Sequence, residues 1–182
     1  MLNKKGVYNV EAAFMLDDSK IKNVEIFKYI SPEEGRRVLG DAEVVSLREN
    51  ETLFDAGSVG NEMYIIETGK IKVFRISDNE EITFAEFGPG DAFGEMSLID
   101  EYPRSASAVA LEDCALLSLS RSAFTKILEE SPGIGTKLLM AIAEVFSKRM
   151  RKTDKLLEAY HLVNRALISN EEFRQLYKAI HS

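Results

Sequence analysis

The hydrophobic period of this chain switches from about 3.6 to about 2 near Ala42 and back again after Leu119. That pattern requires a compact β unit with helices on both sides of it. Within it, Val45 and Leu47 alternate with Ser46 and Arg48, and Thr52 to Phe54 follow after Glu49-Asn50. Met63 to Glu67 ends at Thr68-Gly69, where a hairpin is expected before Ile71 and Val73. Ser77-Asp78-Asn79 precedes Ile82 to Phe87, and Gly88-Pro89-Gly90-Asp91 is a further tight turn. Ser105 to Ala110 and Ala115 to Leu119 complete the series, parted by Leu111-Glu112-Asp113. About eight short antiparallel strands at this spacing favour a double-sheet jelly roll, because closure hides strand edges that an open meander leaves unpaired. The expected class is mainly β with flanking α: an eight-stranded jelly roll with N-terminal helices and a long C-terminal helix.

The flanks carry helix signals. Ser31 can cap a helix with Pro32 in its first position and Glu34 closing a capping box, and that helix should end near Gly40. Upstream, Ala12, Ala13, Phe14 and Met15 suggest a loosely held helix. Ser120 can cap a helix carrying Phe124, Ile127 and Leu128, and Ser131-Pro132 breaks it and opens the next. From Thr136 to Asn170 there is no glycine or proline, and Leu139, Ile142, Phe146, Leu156, Tyr160, Val163 and Leu167 follow a heptad seam interrupted by Arg149 and Thr153. A helix of roughly 50 Å overshoots the roll, and its far half is expected to pair with the same helix of a second chain. Ser169-Asn170-Glu171-Glu172 can cap a short terminal helix. The expected division is an extension over 1–22, the β-roll with its flanking helices over 23–131, the long helix over 132–168 and the short helix over 169–182.

Composition narrows the function. A net charge of -7 and a pI near 5.0 provide no global positive face for nucleic acid or an anionic membrane. The lone Cys114 forbids an intramolecular disulfide and a four-thiolate metal site within one chain. No run of about 18 apolar residues occurs, and the N-terminus does not read as a signal peptide, so the expectation is a cytoplasmic protein with no membrane partner. A jelly-roll metal enzyme brings histidines from its strands, whereas His161 and His181 lie in the C-terminal helices. With no Ser-His-Asp arrangement either, no enzyme is expected. A haem or iron–sulfur sensor is disfavoured on the same residues.

The chemistry concentrates in Phe93 to Ala108, FGEMSLIDEYPRSASA. A glycine beside a carboxylate, one helical turn, a Pro-Arg corner and small residues entering a strand together make a phosphate cradle. Amides at the start of the short turn can face an anion, Arg104 supplies a fork of donors, and small Ser105 and Ala106 let a ligand approach the backbone. An ionised Glu95 only accepts hydrogen bonds, so it suits a hydroxyl pair and repels bare phosphate. One end of the cradle wants a sugar, the other a phosphodiester. With the loop taken as lying at the surface, Arg104→Ala is expected to leave the fold intact.

This stretch resembles the phosphate-binding cassette of cyclic-nucleotide-binding domains, F-G-E-x-(A/S)-L-x-x-x-x-P-R-(A/S/T)-A, matched at Phe93, Gly94, Glu95, Ser97, Leu98, Pro103, Arg104, Ser105 and Ala106. Gly57 to Gly69, GSVGNEMYIIETG, is similar to the family's preceding segment and Phe87 to Asp91 to its lead-in; Ala56, where an acid or glutamine is common, and the bulky Val59 depart from it. The resemblance covers about Val24 to Leu167. It implies that Glu95 accepts from a ribose 2′-OH, that Arg104 and Ser105 hold the cyclic phosphate with Gly94 and Ala106 alongside, and that Met96 and Ser97 belong to the same ligand-contacting turn. A serine after the cassette arginine leans to cAMP, with cGMP the alternative.

The stretch Phe146 to Asp154 is similar to the dimer helix of catabolite-activator proteins. That similarity implies that Thr153 and Asp154 reach the purine and that Arg149 approaches Glu95 or the ligand. The family's transcription factors carry a helix-turn-helix domain after this helix, and Ser169 to Ser182 is too short for one, so DNA binding is not expected. The expectation is a homodimeric, stand-alone cyclic-nucleotide receptor that signals to an unidentified protein effector. The alternatives are a ligand-free dimeric scaffold or a cGMP-selective receptor.

Overall fold

The computed structural model describes residues 18–169 together with Glu171 and Gln175. The expected helix at Ala12 to Met15 and most of the expected C-terminal helix, from Asn170 on, lie outside the described residues. By its contacts the chain divides into a unit of residues 1–142 and a unit of residues 143–182.

The first unit opens with α1 (Asp18–Asn23), a 3-10 turn (Glu25–Phe27) and α2 (Pro32–Leu39). The capping box forms as expected: Glu34 N donates to Ser31 Oγ at 3.2 Å and Ser31 N to Glu34 Oε2 at 2.7 Å. Eight strands follow: β1 (Glu43–Leu47), β2 (Thr52–Phe54), β3 (Glu62–Thr68), β4 (Ile71–Ser77), β5 (Glu80–Phe87), β6 (Ala92–Phe93), β7 (Ser107–Ala110) and β8 (Cys114–Ser120). Between β6 and β7 lies the single turn α3 (Met96–Ile99). After β8 come α4 (Arg121–Glu130), capped by Ser120, and α5 (Pro132–Ser169). The strands form two antiparallel four-stranded sheets, in the orders β1-β8-β3-β6 and β2-β7-β4-β5. This is the expected jelly roll.

Between the sheets lies a core of Val45, Leu47, Leu53, Tyr64, Ile66, Ile71, Phe93, Ala108, Ala110, Cys114 and Leu116. β3 is buried on both faces from Met63 to Ile66, which explains its unbroken apolar run in place of alternation. An aromatic ladder crosses from one sheet to the other. Phe54 stacks on Tyr64 at 6.0 Å between centroids, Tyr64 on Phe93 at 5.5 Å and Phe93 on Phe87 at 5.6 Å. Such pairs contribute about 0.5–1.5 kcal/mol each beyond burial.

Two local expectations need correction. No hairpin turns at Gly69, because β3 is already flanked by β8 and β6 while β4 is flanked by β7 and β5. Gly69 instead carries the chain from one sheet to the other at φ 86°, where a Cβ would meet Cys114 Sγ at 2.5 Å and Asp113 O at 2.6 Å. The hairpin lies one connection later: Asp78 and Asn79, at φ 50° and 63°, form the two-residue turn that pairs Ser77 with Glu80. Two successive left-handed residues suit the strand twist, and β5 therefore starts at Glu80 and not at Ile82. Similarly, the strand expected from Ser105 begins at Ser107, because the backbone of Arg104 is bound by a loop and not by the sheet ladder.

α5 has 38 residues, Pro132–Ser169, and its residues from Ala143 on belong to the second unit. The seam residues Leu156, Tyr160 and Val163 are exposed in the single chain, as are Met150, Leu157 and Leu162.

Glu34 serves two elements, because its carboxylate also accepts from Lys137 Nζ at 2.6 and 2.9 Å. The Lys137 hydrogen bond, then the Ser31 amide, hold its pKa below the ordinary 4.5. A lowered carboxylate pKa adds stability that is fully present above the unfolded value and is lost as pH falls through the folded one. Glu34→Gln should therefore lower the melting temperature at pH 7, and the gap to the parent should close well below pH 4.5. A gap that persisted at pH 3 would show that the carboxylate charge is not its source.

Candidate functional site

Glycine at position 94 has a steric reason. Its φ is 74°, and a Cβ would stand 2.9 Å from Arg104 Nη1 and 3.2 Å from Glu62 O. Immediately after it the chain makes the single turn of α3, with Ser97 N bonded to Gly94 O at 3.1 Å and Leu98 N to Glu95 O at 3.0 Å. It then extends through Pro103 to Arg104. There the loop between β2 and β3 receives it: Arg104 N donates to Ser58 O and Gly57 N to Arg104 O, both at 2.8 Å, while Ala56 N donates to Ser107 Oγ at 2.9 Å. The Gly57–Gly60 segment is thus a backbone clamp on the cassette, and the departures at Ala56 and Val59 do not prevent it.

Arg104 is buried, at 6% exposure, which corrects the expectation that it sits on a surface loop. Its Nη1 donates to Glu62 O at 2.9 Å and to Ser97 Oγ at 2.8 Å, and its Nη2 pairs with Glu62 Oε2 at 3.2 Å. The guanidinium carbon lies 4.2 Å from the Phe54 ring centroid and 5.7 Å from that of Tyr64. Burial draws the guanidinium pKa down, against the opposing pull of Tyr64 and Glu62, yet an arginine remains a cation at neutral pH. Burial, and next the Glu62 carboxylate, push the Tyr64 phenol up to about 12, so its ring stays neutral. Arg104 Nε is buried without a hydrogen-bond partner. Gly60 provides the room around it, since a Cβ there would meet the guanidinium carbon at 2.5 Å.

A small cleft opens beside this group, with a cavity volume of about 80 Å³, well below the roughly 300–1,000 Å³ of a full ligand pocket. Gly94, Met96, Ser97, Arg104, Ser105 and Ala106 all line it, with Phe54, Val73, Phe93 and Tyr102 among their neighbours. Six of the seven expected cassette residues are thereby brought together. Met96 is exposed at 46% and Ser105 is exposed as well, whereas Ala106 is buried. The seventh, Glu95, is buried at 5% exposure at the N-cap of α3 and does not belong to the cleft wall; its carboxylate makes no capping bond to the helix. Arg149, Thr153 and Asp154 stand on the second unit. There Thr153 and Asp154 are exposed, Arg149 is partly exposed, and Thr153 Oγ1 donates to Arg149 O at 3.1 Å.

Four contributors were not singled out in the sequence. Glu62 neutralises Arg104, the Phe54 and Tyr64 rings flank it, and Arg121 binds the backbone of α3. One signal for Glu62 was available, a charged residue opening an otherwise apolar strand.

The jelly roll thus holds a buried arginine on the wall of an open cleft. Residues 44–131 match the profile of the cyclic nucleotide-binding domain. The chain is 34% identical over 155 residues to the cyclic AMP receptor protein of Thermus thermophilus, covering 85% of this chain and 66% of that one. A cyclic nucleotide-binding-like protein from Brucella abortus is 36% identical, with a TM-score of 0.53 over 62% of this chain and 97% of that one. A cyclic nucleotide-binding domain from Methylobacillus flagellatus is 28% identical, with a TM-score of 0.70 over 78% and 85%. The chain belongs to the cyclic nucleotide-binding domain family, and it spans about two thirds of the length of the Thermus relative.

The pair of buried Arg104 with partly exposed Glu62 gives a stability prediction. Removing the acid leaves a buried cation uncompensated, so Glu62→Ala should cost about 1–3 kcal/mol of unfolding free energy, and Glu62→Gln, which keeps an acceptor oxygen, should cost less. Arg104→Ala should also be destabilising, contrary to the expectation from a surface loop. Chemical denaturation of the ligand-free chain reads all three; a Glu62→Ala chain as stable as its parent would remove the anchoring role.

Proposed function

We propose that the chain is a receptor for a cyclic nucleotide, cAMP in first place, that reports occupancy through α5 as a homodimer to a protein effector. The observation that carries this reading is the cleft wall itself. It brings a buried guanidinium, one of whose donors lacks a partner, together with small Ser105 and Ala106. A phosphodiester there would meet Arg104 across a short stretch of exposed backbone, in surroundings where charge-assisted bonds are stronger than in water. Glu62 and Ser97 hold Nη1 and Nη2, and Nε, the donor without a partner, is buried beside Gly60. The reading therefore requires the guanidinium to shift toward the cleft when ligand binds. Glu95 is assigned the ribose 2′-OH, which requires its carboxylate to be met or turned from its buried position. The preference for cAMP rests on Ser105 and on the name of the Thermus relative.

Thr153 and Asp154 on α5 are assigned the purine edge, and Arg149 is assigned to Glu95 or the ligand. The dimer is inferred from exposed Leu156, Tyr160 and Val163 on the heptad seam, three apolar side chains that water disfavours in a lone helix. A protein effector is preferred to DNA because the net charge of -7 opposes phosphate attraction. Among the described residues no helix is long and apolar enough to cross a membrane, and the reading contains no catalytic step. Ligand that contacts both the cassette and α5 has differential affinity for their arrangements and shifts their population.

One observation favours a second reading, a dimeric scaffold without ligand: the Arg104 guanidinium already has protein acceptors on Nη1 and Nη2. Titration calorimetry separates the two. The receptor reading expects one cAMP per chain, with Arg104→Lys and Glu95→Gln each weakening it at least tenfold, about 1.4 kcal/mol. Thr153→Ala should weaken it less while changing the cAMP to cGMP ratio. Absence of heat with either nucleotide, for a chain free of carried-over ligand, would leave the scaffold.

A further inference from the structure

Arg121 is the first residue of α4, where a helix's own dipole disfavours a cation. Its guanidinium is turned to another element. Nε donates to Ser97 O at 2.8 Å, Nη2 donates to Asp100 O, and Nη1 pairs with Glu101 Oε1 at 3.2 Å. The amide of Arg121 donates to Asn61 O at 2.7 Å.

These bonds close a ring through the ligand cleft. Arg121 holds the carbonyl of Ser97; the Ser97 hydroxyl accepts from Arg104; Arg104 holds the carbonyl and carboxylate of Glu62; and Asn61, beside Glu62, accepts from the Arg121 amide. α3 is a single turn, and the bonds at its ends reach the carbonyls of Gly94, Glu95 and Met96. A four-residue helix leaves its last carbonyls unmet, and Arg121 supplies donors to two of those that follow. The pair with Glu101 adds little, since Glu101 is 92% exposed and water screens it.

We propose that Arg121 is a positioning residue for ligand binding: by gripping Ser97 O and Asp100 O it fixes the turn that aims Arg104, and it makes the placement of α4 depend on that turn. A ligand that pulls on Arg104 then pulls, through Ser97, on the first residue of α4. Lysine in its place offers one ammonium and no planar fork to span two carbonyls. The nature of the ligand rests on the cyclic-nucleotide reading above; the grip itself does not.

The full chain carrying Arg121→Gln, Arg121→Lys or, as control, Glu101→Gln is compared with the parent by hydrogen-exchange mass spectrometry and calorimetry. Without ligand, both Arg121 variants should exchange several-fold faster across residues 97–104 while β1 and β8 keep their protection; unchanged exchange there overturns the grip. With cAMP, both should bind at least fivefold more weakly, Glu101→Gln within twofold of the parent, and equal affinity overturns the positioning role. At saturating cAMP the parent should alter exchange in residues 121–130, and the Arg121 variants should protect residues 97–106 without that response. A response in α4 that survives both substitutions overturns the coupling, reducing Arg121 to a helix cap. If the parent binds neither cAMP nor cGMP while residues 97–104 still loosen, the grip stands and the cyclic-nucleotide reading fails.

Discussion

A guanidinium taken out of water must be neutralised, hydrogen-bonded and packed on its faces, and the construction around Arg104 follows from those demands. Glu62 supplies the charge, Ser97 and the Glu62 carbonyl supply acceptors, and Phe54 and Tyr64 supply rings. These residues come from β2, β3 and the turn between β6 and β7, so both sheets contribute to one side chain. Removing the partner of a desolvated cation costs stability, here about 1–3 kcal/mol because Glu62 is partly exposed, and the site is accordingly tied to the stability of the roll. Under the receptor reading, stability and ligand recognition draw on the same residue.

The jelly roll provides what a looser fold does not. β3 lies between β8 and β6 and is buried on both faces, which places Glu62 and Tyr64 at its start in fixed register. The Gly57–Gly60 loop approaches Arg104 closely because Gly60 lacks a side chain, and it binds the Arg104 backbone on both sides. α3, too short to complete its own hydrogen bonding, borrows donors from Arg121. Each part of the cleft is thus held by an element distant in sequence. Such a site can respond as one body when a ligand moves any part of it.

Much of this was legible in the sequence where the physics is local. The capping box at Ser31 and Glu34, the cap at Ser120 and the break at Pro132 depend on residues within one turn, and they formed as expected. The period-2 stretch declared the roll, and the cassette was legible because its glycine, arginine and small residues sit within a dozen positions. What escaped was non-local. Gly69 looked like a hairpin because a strand, a glycine and another strand have the same local pattern whether the chain doubles back or changes sheets; only the pairing of β3 with β8 and β4 with β7 decides. Arg104 looked exposed because a loop of polar residues usually is, and its burial comes from Glu62, 42 positions away. Arg121 gave no signal beyond a cation at a helix start, since its acceptors are backbone carbonyls that no side-chain pattern marks.

The central claim is that one buried cation, braced by Glu62 and Ser97, receives an anionic ligand from the cleft. A crystal structure of the chain grown with excess cAMP tests this most directly. The account predicts a phosphate oxygen within about 3 Å of an Arg104 nitrogen, with the guanidinium still braced by Glu62 or Ser97 and the Glu95 carboxylate on a ribose hydroxyl. Nucleotide bound elsewhere, or a cleft left empty with Arg104 unmoved, would contradict it.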